Sequence, residues 1–268
     1  MRHDEPLSPA EPALAMAIGN TRTSMAVLRG TEVDDAVAVP NADLDAIVRE
    51  ASARIADSGA TCVLASSVNH PHAEAIETRL LAERSTPFLR CGRDFDAPIV
   101  NALDDDSTVG QDRLLVALAG FDTAQQACVV IDAGSAITID FVDGQGVFQG
   151  GIIAPGLAVM LASLHEHTAS LPKLSPIAPD PERGPFGKDT AHAMLLGVRY
   201  AAIGLVRHAV ERYAEAYEAY PQVIATGGDA ELLFTNDPFV DHLVPHLQLK
   251  GLAVARQRLA RLEDDDHG

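Results

Sequence analysis

The chain has 268 residues, of which 47% are hydrophobic and 22% charged, a composition typical of globular rather than disordered proteins. Its formal net charge of −18 disfavours nucleic acids and anionic membranes as partners, because an acidic protein repels their phosphate groups. No apolar run reaches the roughly 18 residues that cross a bilayer, and residues 1–12 contain no apolar signal core, so we expect a cytoplasmic protein.

Predicted strands and helices alternate through the first half of the chain. Residues 1–12 contain three prolines and no periodicity, which predicts a flexible N-terminal extension. A strand at 14–18 is followed, across Gly19-Asn20-Thr21, by its hairpin partner at 24–30. The further segments predicted in this half are a helix at 43–56 capped by Asn41 or Asp43, a strand at 61–65, a helix at 72–84, a strand at 87–90 and a helix at 110–120.

The same strand–glycine–strand pattern begins again near residue 128. The segments predicted after that point are strands at 128–132, 136–142 and 146–150, helices at 156–168 and 190–217, a strand at 223–225 and a helix at 229–234. Five prolines between Pro172 and Pro185 predict an exposed loop or flap. The repetition predicts two related α/β lobes, residues 13–123 and 124–262; the alternative is one open sheet with a coincidental second hairpin.

Three glycine-bearing turns follow predicted strands, at 19–21, 132–138 and 226–228. Glycine has no Cβ, so such turns expose backbone N–H groups, which are the donors that phosphate oxygens require. Three of them in both halves of the chain indicate a nucleotide held between two lobes.

The cysteines and histidines do not form a convincing metal site. Three cysteines show no paired metal spacing, and Cys62 and Cys128 lie in apolar runs, which predicts small core residues. His70 and His72 form one close pair, and His165 and His167 another. Neither pair has a third ligand at suitable spacing, so these histidines are predicted to be surface or helix residues.

Five motifs occur in order between about residue 14 and about residue 257: Gly110-Gln111-Asp112-Arg113, the 132–138 turn, 150–156, 187–190 and 225–228. Together they resemble the motifs of the type III pantothenate kinases, a family within the actin-like superfamily of sugar kinases and heat-shock ATPases. The resemblance implies two ribonuclease-H-like lobes with a nucleotide cleft between them, and a homodimer. It also implies ATP-dependent phosphorylation of pantothenate to 4'-phosphopantothenate, the first step of coenzyme A biosynthesis, with Mg²⁺ and a monovalent cation, K⁺ or NH₄⁺.

The resemblance makes Asp112 the candidate base that accepts the proton of the attacking hydroxyl. An acidic residue near a helix N-terminus, favoured by the helix dipole, is the alternative interpretation. Arg113 either binds the carboxylate of pantothenate or forms an ion pair within the fold. Gly110, Gln111 and Thr190 complete the predicted substrate site, although Thr190 could instead be a helix N-cap.

Nucleotide and cation contacts are also implied. Asp132 is the predicted ligand of the monovalent cation, since hard cations prefer carboxylate oxygens; the alternative is an Asx turn that holds its own loop. Thr138 is a second candidate for holding that loop. The residues predicted to contact ATP are Gly19, Asn20, Thr21, Arg22, Ser135, Gly227 and Gly228.

The chain departs from the family pattern at two positions. Ala17 stands where the family has an aspartate that organises Mg²⁺, and Leu103 stands where it has a tyrosine that borders the pantothenate pocket. The acidic run Asp104-Asp105-Asp106 beside Leu103 is interpreted as a solvated loop. The departures leave two alternatives to a working kinase: an ATP-binding or regulatory homologue with impaired catalysis, and a kinase for another small hydroxyl substrate.

Overall fold

The computed structural model describes residues 8–266, with side chains described as far as residue 262. The chain divides into two compact units. Unit 1 comprises the residues up to Thr123 together with those from His246 onwards, and unit 2 comprises Ala124–Pro245. Residues 1–7 of the predicted N-terminal extension lie outside the described residues.

Unit 1 contains a five-stranded mixed sheet in the order β3-β2-β1-β4-β5. Strands β1 to β3 are antiparallel neighbours, whereas β4 and β5 continue the sheet in parallel from the other edge of β1. The elements of this unit are β1 (Ala13–Ile18), β2 (Arg22–Arg29), β3 (Glu32–Pro40), α1 (Leu44–Ser58), β4 (Cys62–Ser67), α2 (His70–Glu83), β5 (Phe88–Arg90), α3 (Gln111–Ala124) and, at the end of the chain, α7 (Leu247–Asp266).

Unit 2 repeats this topology in a second five-stranded sheet, in the order β10-β9-β6-β7-β8. Its first three strands are again antiparallel, and its last two are again added in parallel beside the first. Its elements are β6 (Cys128–Ala133), β7 (Ala136–Val142), β8 (Phe148–Pro155), α4 (Leu157–Glu166), α5 (Thr190–Tyr217), β9 (Gln222–Thr226), α6 (Ala230–Phe234) and β10 (His242–Leu243). The shared topology confirms the predicted repeat and excludes one continuous sheet.

Each unit has its own hydrophobic core on a helix-covered face of its sheet. In unit 1, alternate residues of β1, namely Leu14, Met16 and Ile18, pack against the apolar side of α1 and α2. In unit 2, alternate residues of β6 and β7 pack against α4, α5 and α6. Cys62 and Cys128 are buried as predicted, and burial raises the pKa of the Cys128 thiol to about 12.

Helix α5 has the length and composition of a membrane-crossing helix. Its apolar residues Met194, Val198, Ala202 and Val206 nevertheless belong to the core of unit 2, because they pack against the β6–β7 sheet. Core packing therefore accounts for the apolar character of this helix.

The prediction that the second lobe extends to residue 262 is wrong, because the C-terminal helix belongs to unit 1. Helix α7 packs against β1 to β4 of unit 1 instead. Gly251 lies so close to α3 that a Cβ there would collide with the backbone of Leu115. Gln248 donates to Ser66 Oγ over 3.1 Å, and Lys250 donates to Thr123 Oγ1 over 2.9 Å.

The same helix holds the first described residues of the chain. Arg256 is 1% exposed, and its guanidinium donates to the backbone carbonyls of Ser8 and Glu11, the latter over 2.8 Å. Thr61, which precedes β4, also donates its N–H to the carbonyl of Pro12 over 3.0 Å. Residues 8–12 are thus hydrogen-bonded to unit 1 from two elements.

Candidate active site

The first glycine turn, Gly19–Arg22, connects β1 and β2 at the edge of the hairpin. The N–H of Gly19 donates to the carbonyl of Arg22 over 3.0 Å, which closes the turn. Asn20, Thr21 and Arg22 are exposed, so their side chains are open to a ligand. The four consecutive residues predicted to contact ATP in unit 1 thus lie in one closed turn, and their contact with ATP stays a prediction.

Asn41, which follows β3, contacts this turn, a role that the sequence did not predict. It was predicted as one of two possible caps of α1, but the cap is Asp43, whose Oδ1 accepts the N–H of Ala46 over 2.9 Å. Asn41 instead donates its Nδ2 to the carbonyl of Gly19 over 2.8 Å. The contact spans 22 residues of sequence, so no local pattern predicts it.

Ala17 is 7% exposed and lies on the opposite face of β1 from the α1–α2 core. Its neighbours in register are Ser24 on β2 and Ser66 on β4. Ser66 is fully buried, and its hydroxyl accepts a hydrogen bond from Gln248 of α7. The side chains beside Ala17 in the sheet are thus neutral hydroxyls rather than charged groups.

Asp112 lies in the first turn of α3. The carbonyl of Gly110 accepts the N–H groups of Arg113 and Leu114, which starts the helix. The Asp112 carboxylate folds back against Gly110, where a Cβ would collide with its Oδ1, and it accepts its own N–H and that of Arg113. Burial nevertheless raises the pKa of the Asp112 carboxyl, because these hydrogen bonds and the Arg113 charge only partly oppose the desolvation.

Gln111 has a structural contact that its predicted substrate role did not include. Its Oε1 accepts the Cys91 thiol over 3.4 Å and the Ala97 N–H over 3.3 Å. Gly92 packs against the same side chain, since a Cβ there would lie 2.8 Å from its Cγ. The amide oxygen thus holds the loop after β5, and a substrate contact would use the amide nitrogen.

The loop before α3 carries Leu103 and the acidic run. Asp104, Asp105 and Asp106 are all exposed, in agreement with a solvated loop. Asp105 accepts the N–H of Ser107 over 2.9 Å, and hydrogen bonds from Ser107 lower the pKa of the Asp105 carboxyl. Leu103 is half-buried, so it presents an apolar side chain where the family has a tyrosine.

In unit 2, three oxygen-bearing side chains form a row across the sheet. Asp132 of β6 is paired in register with Thr138 of β7 on one side and Thr226 of β9 on the other, so all three project from one face. Gly227 lies directly against this row, because a Cβ there would collide with Asp132 Oδ1 and the Ala133 carbonyl. The predicted cation ligand and the third glycine turn therefore meet.

The second glycine turn is supported by the loop that enters α4. Gly156 donates its N–H to the carbonyl of Ser135 over 3.1 Å, and a Cβ at Gly156 would collide with the carbonyl of Gly134. Ser135 and Gly228 are exposed at these turns. Glycine is therefore required at position 156 by its close packing against the second turn, which the motif alone did not predict.

Gly227→Ala is expected to destabilise the protein by about 1–3 kcal/mol, because a residue with a side chain is strained at the φ of +97° found there. Gly197→Ala is the matched control: it lies in α5, and its added Cβ would meet nothing within 4 Å. The control is expected to gain roughly 0.5–1 kcal/mol from helix propensity. Urea denaturation measures both changes, and a Gly227→Ala midpoint at or above wild type would contradict the described turn.

Thr190 is the first residue of α5 and is exposed, but it does not cap the helix. The cap is Asp189, which accepts the N–H of His192 over 2.8 Å and pairs with Arg183 over 2.7 Å. The hydrogen bond from His192 lowers the pKa of the Asp189 carboxyl most, and the contact with Arg183 lowers it further. The N-cap alternative for Thr190 is therefore wrong, and its substrate contact stays a prediction.

The paired histidines have separate structural contacts. His70 Nδ1 accepts from Arg90 over 3.1 Å, and His165 Nδ1 donates to the carbonyl of Leu171 over 2.7 Å. Within residues 8–266, no group of three or more His, Cys, Asp or Glu side chains could hold a metal ion.

Comparison with known proteins identifies the family. A family model for type III pantothenate kinase matches residues 13–212. The type III pantothenate kinase of Rhodospirillum rubrum is 35% identical over 189 residues, which cover 69% of this chain and 72% of that protein. The corresponding protein of Geobacter sp. (strain M21) is 36% identical over 155 residues, 58% of this chain. This chain thus aligns with 60% of the Geobacter protein's length.

Solved structures agree on the fold. Component A of (R)-2-hydroxyglutaryl-CoA dehydratase from Acidaminococcus fermentans superposes with a TM-score of 0.55 at 13% identity, covering 95% of this chain and 99% of that one. This likeness and the repeated sheet topology show two ribonuclease-H-like α/β units, the fold that the sequence predicted. Because the family model covers about three quarters of its length, the chain belongs to the type III pantothenate kinase family.

Proposed function

We propose that the protein transfers the γ-phosphate of ATP to the hydroxyl of pantothenate, which gives 4'-phosphopantothenate and ADP in the first step of coenzyme A biosynthesis. The observation that carries the proposal is Asp112. In a chain of this family, a half-buried carboxylate with a raised pKa stands at the start of a helix, beside an arginine. A raised pKa makes the ionised carboxylate a stronger proton acceptor, which suits a general base.

In the proposed reaction, the pantothenate hydroxyl oxygen forms a bond to the γ-phosphorus, and the bond from that phosphorus to the β–γ bridging oxygen breaks. Asp112 takes the hydroxyl proton, and ADP leaves with the bridging oxygen. Arg113 binds the substrate carboxylate, since a guanidinium matches its two oxygens. Thr190 supplies a further substrate hydrogen bond from its exposed hydroxyl.

The glycine turns are the proposed ATP-binding elements. In unit 1 the contacts come from Gly19–Arg22, whose exposed residues follow a closed turn. In unit 2 they come from Ser135 and from the Gly227-Gly228 turn. Backbone N–H groups bind anions without a net positive charge, which is compatible with an acidic protein.

We propose the monovalent cation, rather than Mg²⁺, as the ligand of the Asp132 row in unit 2. The Asp132 carboxylate with the hydroxyls of Thr138 and Thr226 is a hard oxygen set, and we propose that it holds K⁺ or NH₄⁺. When bound there, the cation would neutralise phosphate charge. Ala17 offers Mg²⁺ no ligand at the first turn, so we assign Mg²⁺ to the ATP phosphates and derive no step through it.

We further propose a cytoplasmic homodimer without nucleic-acid or membrane partners. The net charge of −18 supports the exclusion of both polyanionic partners. Strand β8 is an edge strand of its sheet, and it exposes Ile152 and Ile153 at 36% and 63%. An apolar edge of this kind favours association with a second copy, which sedimentation velocity would measure.

One observation favours a second candidate function. Ala17 is buried and apolar where the family has a metal-organising aspartate, as expected of an ATP-binding or regulatory homologue with impaired catalysis. Such a protein would bind Mg·ATP without phosphorylating pantothenate. A kinase for another small hydroxyl substrate, prompted by Leu103, would turn over ATP with that substrate alone.

A coupled ADP-release assay with pantothenate, Mg·ATP and K⁺ tests the proposal. We expect pantothenate-dependent ADP release, with one phosphopantothenate formed for each ADP. Replacing K⁺ with choline should lower the rate, because the proposed Asp132 site would lose its cation. Mg·ATP binding by calorimetry without any pantothenate-dependent release would contradict the kinase and support the regulatory alternative.

A further inference from the structure

Asn41, which follows β3, makes two hydrogen bonds to the first turn and one to Thr23 of β2. Its backbone N–H donates to the carbonyl of Thr21 over 3.0 Å. Its side-chain Nδ2 donates to the carbonyl of Gly19 over 2.8 Å, and its Oδ1 accepts the hydroxyl of Thr23 over 2.8 Å. We call this set of three hydrogen bonds the Asn41 clamp.

The orientation of the Asn41 amide is fixed by its partners. A carbonyl oxygen only accepts hydrogen bonds, so the atom facing Gly19 must be the NH₂ group. The opposite end must then be the oxygen, which Thr23 can satisfy because a hydroxyl donates as well as accepts. Thr23 is fully buried, so this hydrogen bond is shielded from water.

The clamp determines what the turn presents to a ligand. Carbonyl oxygens carry partial negative charge and repel phosphate, so an anion-binding turn must direct them elsewhere. In this turn the carbonyls of Gly19 and Thr21 are both directed at Asn41. Asn20 and Thr21 remain exposed on the turn, where a phosphate can reach them.

We propose that Asn41 is a positioning residue that holds the Gly19–Arg22 turn in its phosphate-binding conformation. This inference rests on the proposed function, because it takes the phosphates of ATP as the ligand of the turn. Asn41 acts through the turn and does not touch the reacting atoms. Its loss should therefore weaken the binding of Mg·ATP more than it slows the chemical step.

The test compares steady-state kinetics of the full-length wild type and its variants. Asn41→Ala is expected to raise the KM for Mg·ATP about tenfold, because both side-chain hydrogen bonds of the clamp are lost, with a much smaller change in kcat. Thr23→Val keeps the side-chain shape but removes the hydroxyl, and should raise KM in the same direction. Thr23→Ser keeps the hydroxyl and should stay closer to wild type than Thr23→Val.

Asp143→Ala controls for simple loss of stability. Asp143 holds the β7–β8 turn by accepting the N–H groups of Gln145 and Val147 and the amide of Gln149, so it is a comparable clamp in unit 2. It should lower the melting temperature without raising the KM for Mg·ATP. An unchanged KM in Asn41→Ala, or an equal KM rise in Asp143→Ala, would overturn the inference. Wild-type protein that binds no Mg·ATP by calorimetry would overturn the proposed function, and the clamp's role with it.

Discussion

Asp112→Asn is expected to lower kcat by about 10²–10⁴-fold, the usual contribution of a general base, while Mg·ATP affinity stays at the wild-type value. The substitution preserves the shape of the side chain and removes its ability to accept a proton. Single-turnover phosphorylation of pantothenate measures the chemical step, and calorimetry with Mg·ATP measures binding.

Asp104→Asn is the matched control, because it removes the same charge from an exposed position in the same unit. It should leave kcat unchanged. If Asp112→Asn also retained a near wild-type rate, the carboxylate would be a helix-terminal residue favoured by the dipole rather than the base.

The raised pKa of Asp112 adds a stability consequence with a definite sign. The Asp112 carboxyl binds its proton more tightly in the native state than in the unfolded state. Its contribution to the free energy of unfolding therefore falls as the pH rises from the ordinary pKa of aspartate through the raised pKa. Above both values the buried charge costs stability, and Asp112→Asn should therefore be at least as stable as wild type. The activity of wild type should fall as pH is lowered through the raised pKa.

Ala17→Asp is expected to lower the Mg²⁺ and ATP requirement by about ten- to a hundredfold, since a charge-assisted contact contributes roughly 1.5–3 kcal/mol. A carboxylate near the β- and γ-phosphates would hold the metal that neutralises developing charge. The hydroxyl of Ser66 and the amide of Gln248 lie beside this position and offer polar neighbours to the new side chain. Titrating Mg²⁺ and ATP in both proteins measures the effect.

Ala17→Asn separates charge from size, since it places a neutral side chain of the same shape at the same buried position. It should lose stability without any gain in Mg·ATP affinity. If Ala17→Asp also gained nothing, Ala17 would be a packed strand residue, with the metal held by Asp132 or by the ATP phosphates.

Most elements could be predicted because each sheet is built from short apolar runs that end at glycine turns. Strand β3 was not predicted, because it is an exposed edge strand that contains acidic residues and lacks an apolar run. Helix α7 was not predicted for the opposite reason. Residues 251–256 are all buried, so the segment has no polar stripe to indicate a helical period. Its membership of unit 1 depends on contacts far along the chain, such as Gln248 to Ser66.

In the candidate site, too, residues in local motifs could be predicted from the sequence, whereas residues defined by distant contacts could not. Asp112 and Asp132 lie in motifs of neighbouring residues, which sequence comparison detects. The roles of Asn41 and Gly156 depend on pairing with distant turns, and the contact between Gln111 and Ala97 depends on how a loop returns to α3. Such contacts follow from the fold and carry no local pattern.

The return of α7 to unit 1 has a consequence for synthesis on the ribosome. Unit 2 is complete in sequence at Pro245, whereas unit 1 still lacks α7 at that point. Domains generally fold from the N-terminus as the chain emerges, but here the first unit to begin is the last to be completed. Until α7 is synthesised, α3 lacks the close contact between its Leu115 and Gly251 of α7. A nascent chain that terminates before α7 would therefore carry α3, the helix of Asp112, without that contact, and its first sheet without the helix that packs on β1 to β4.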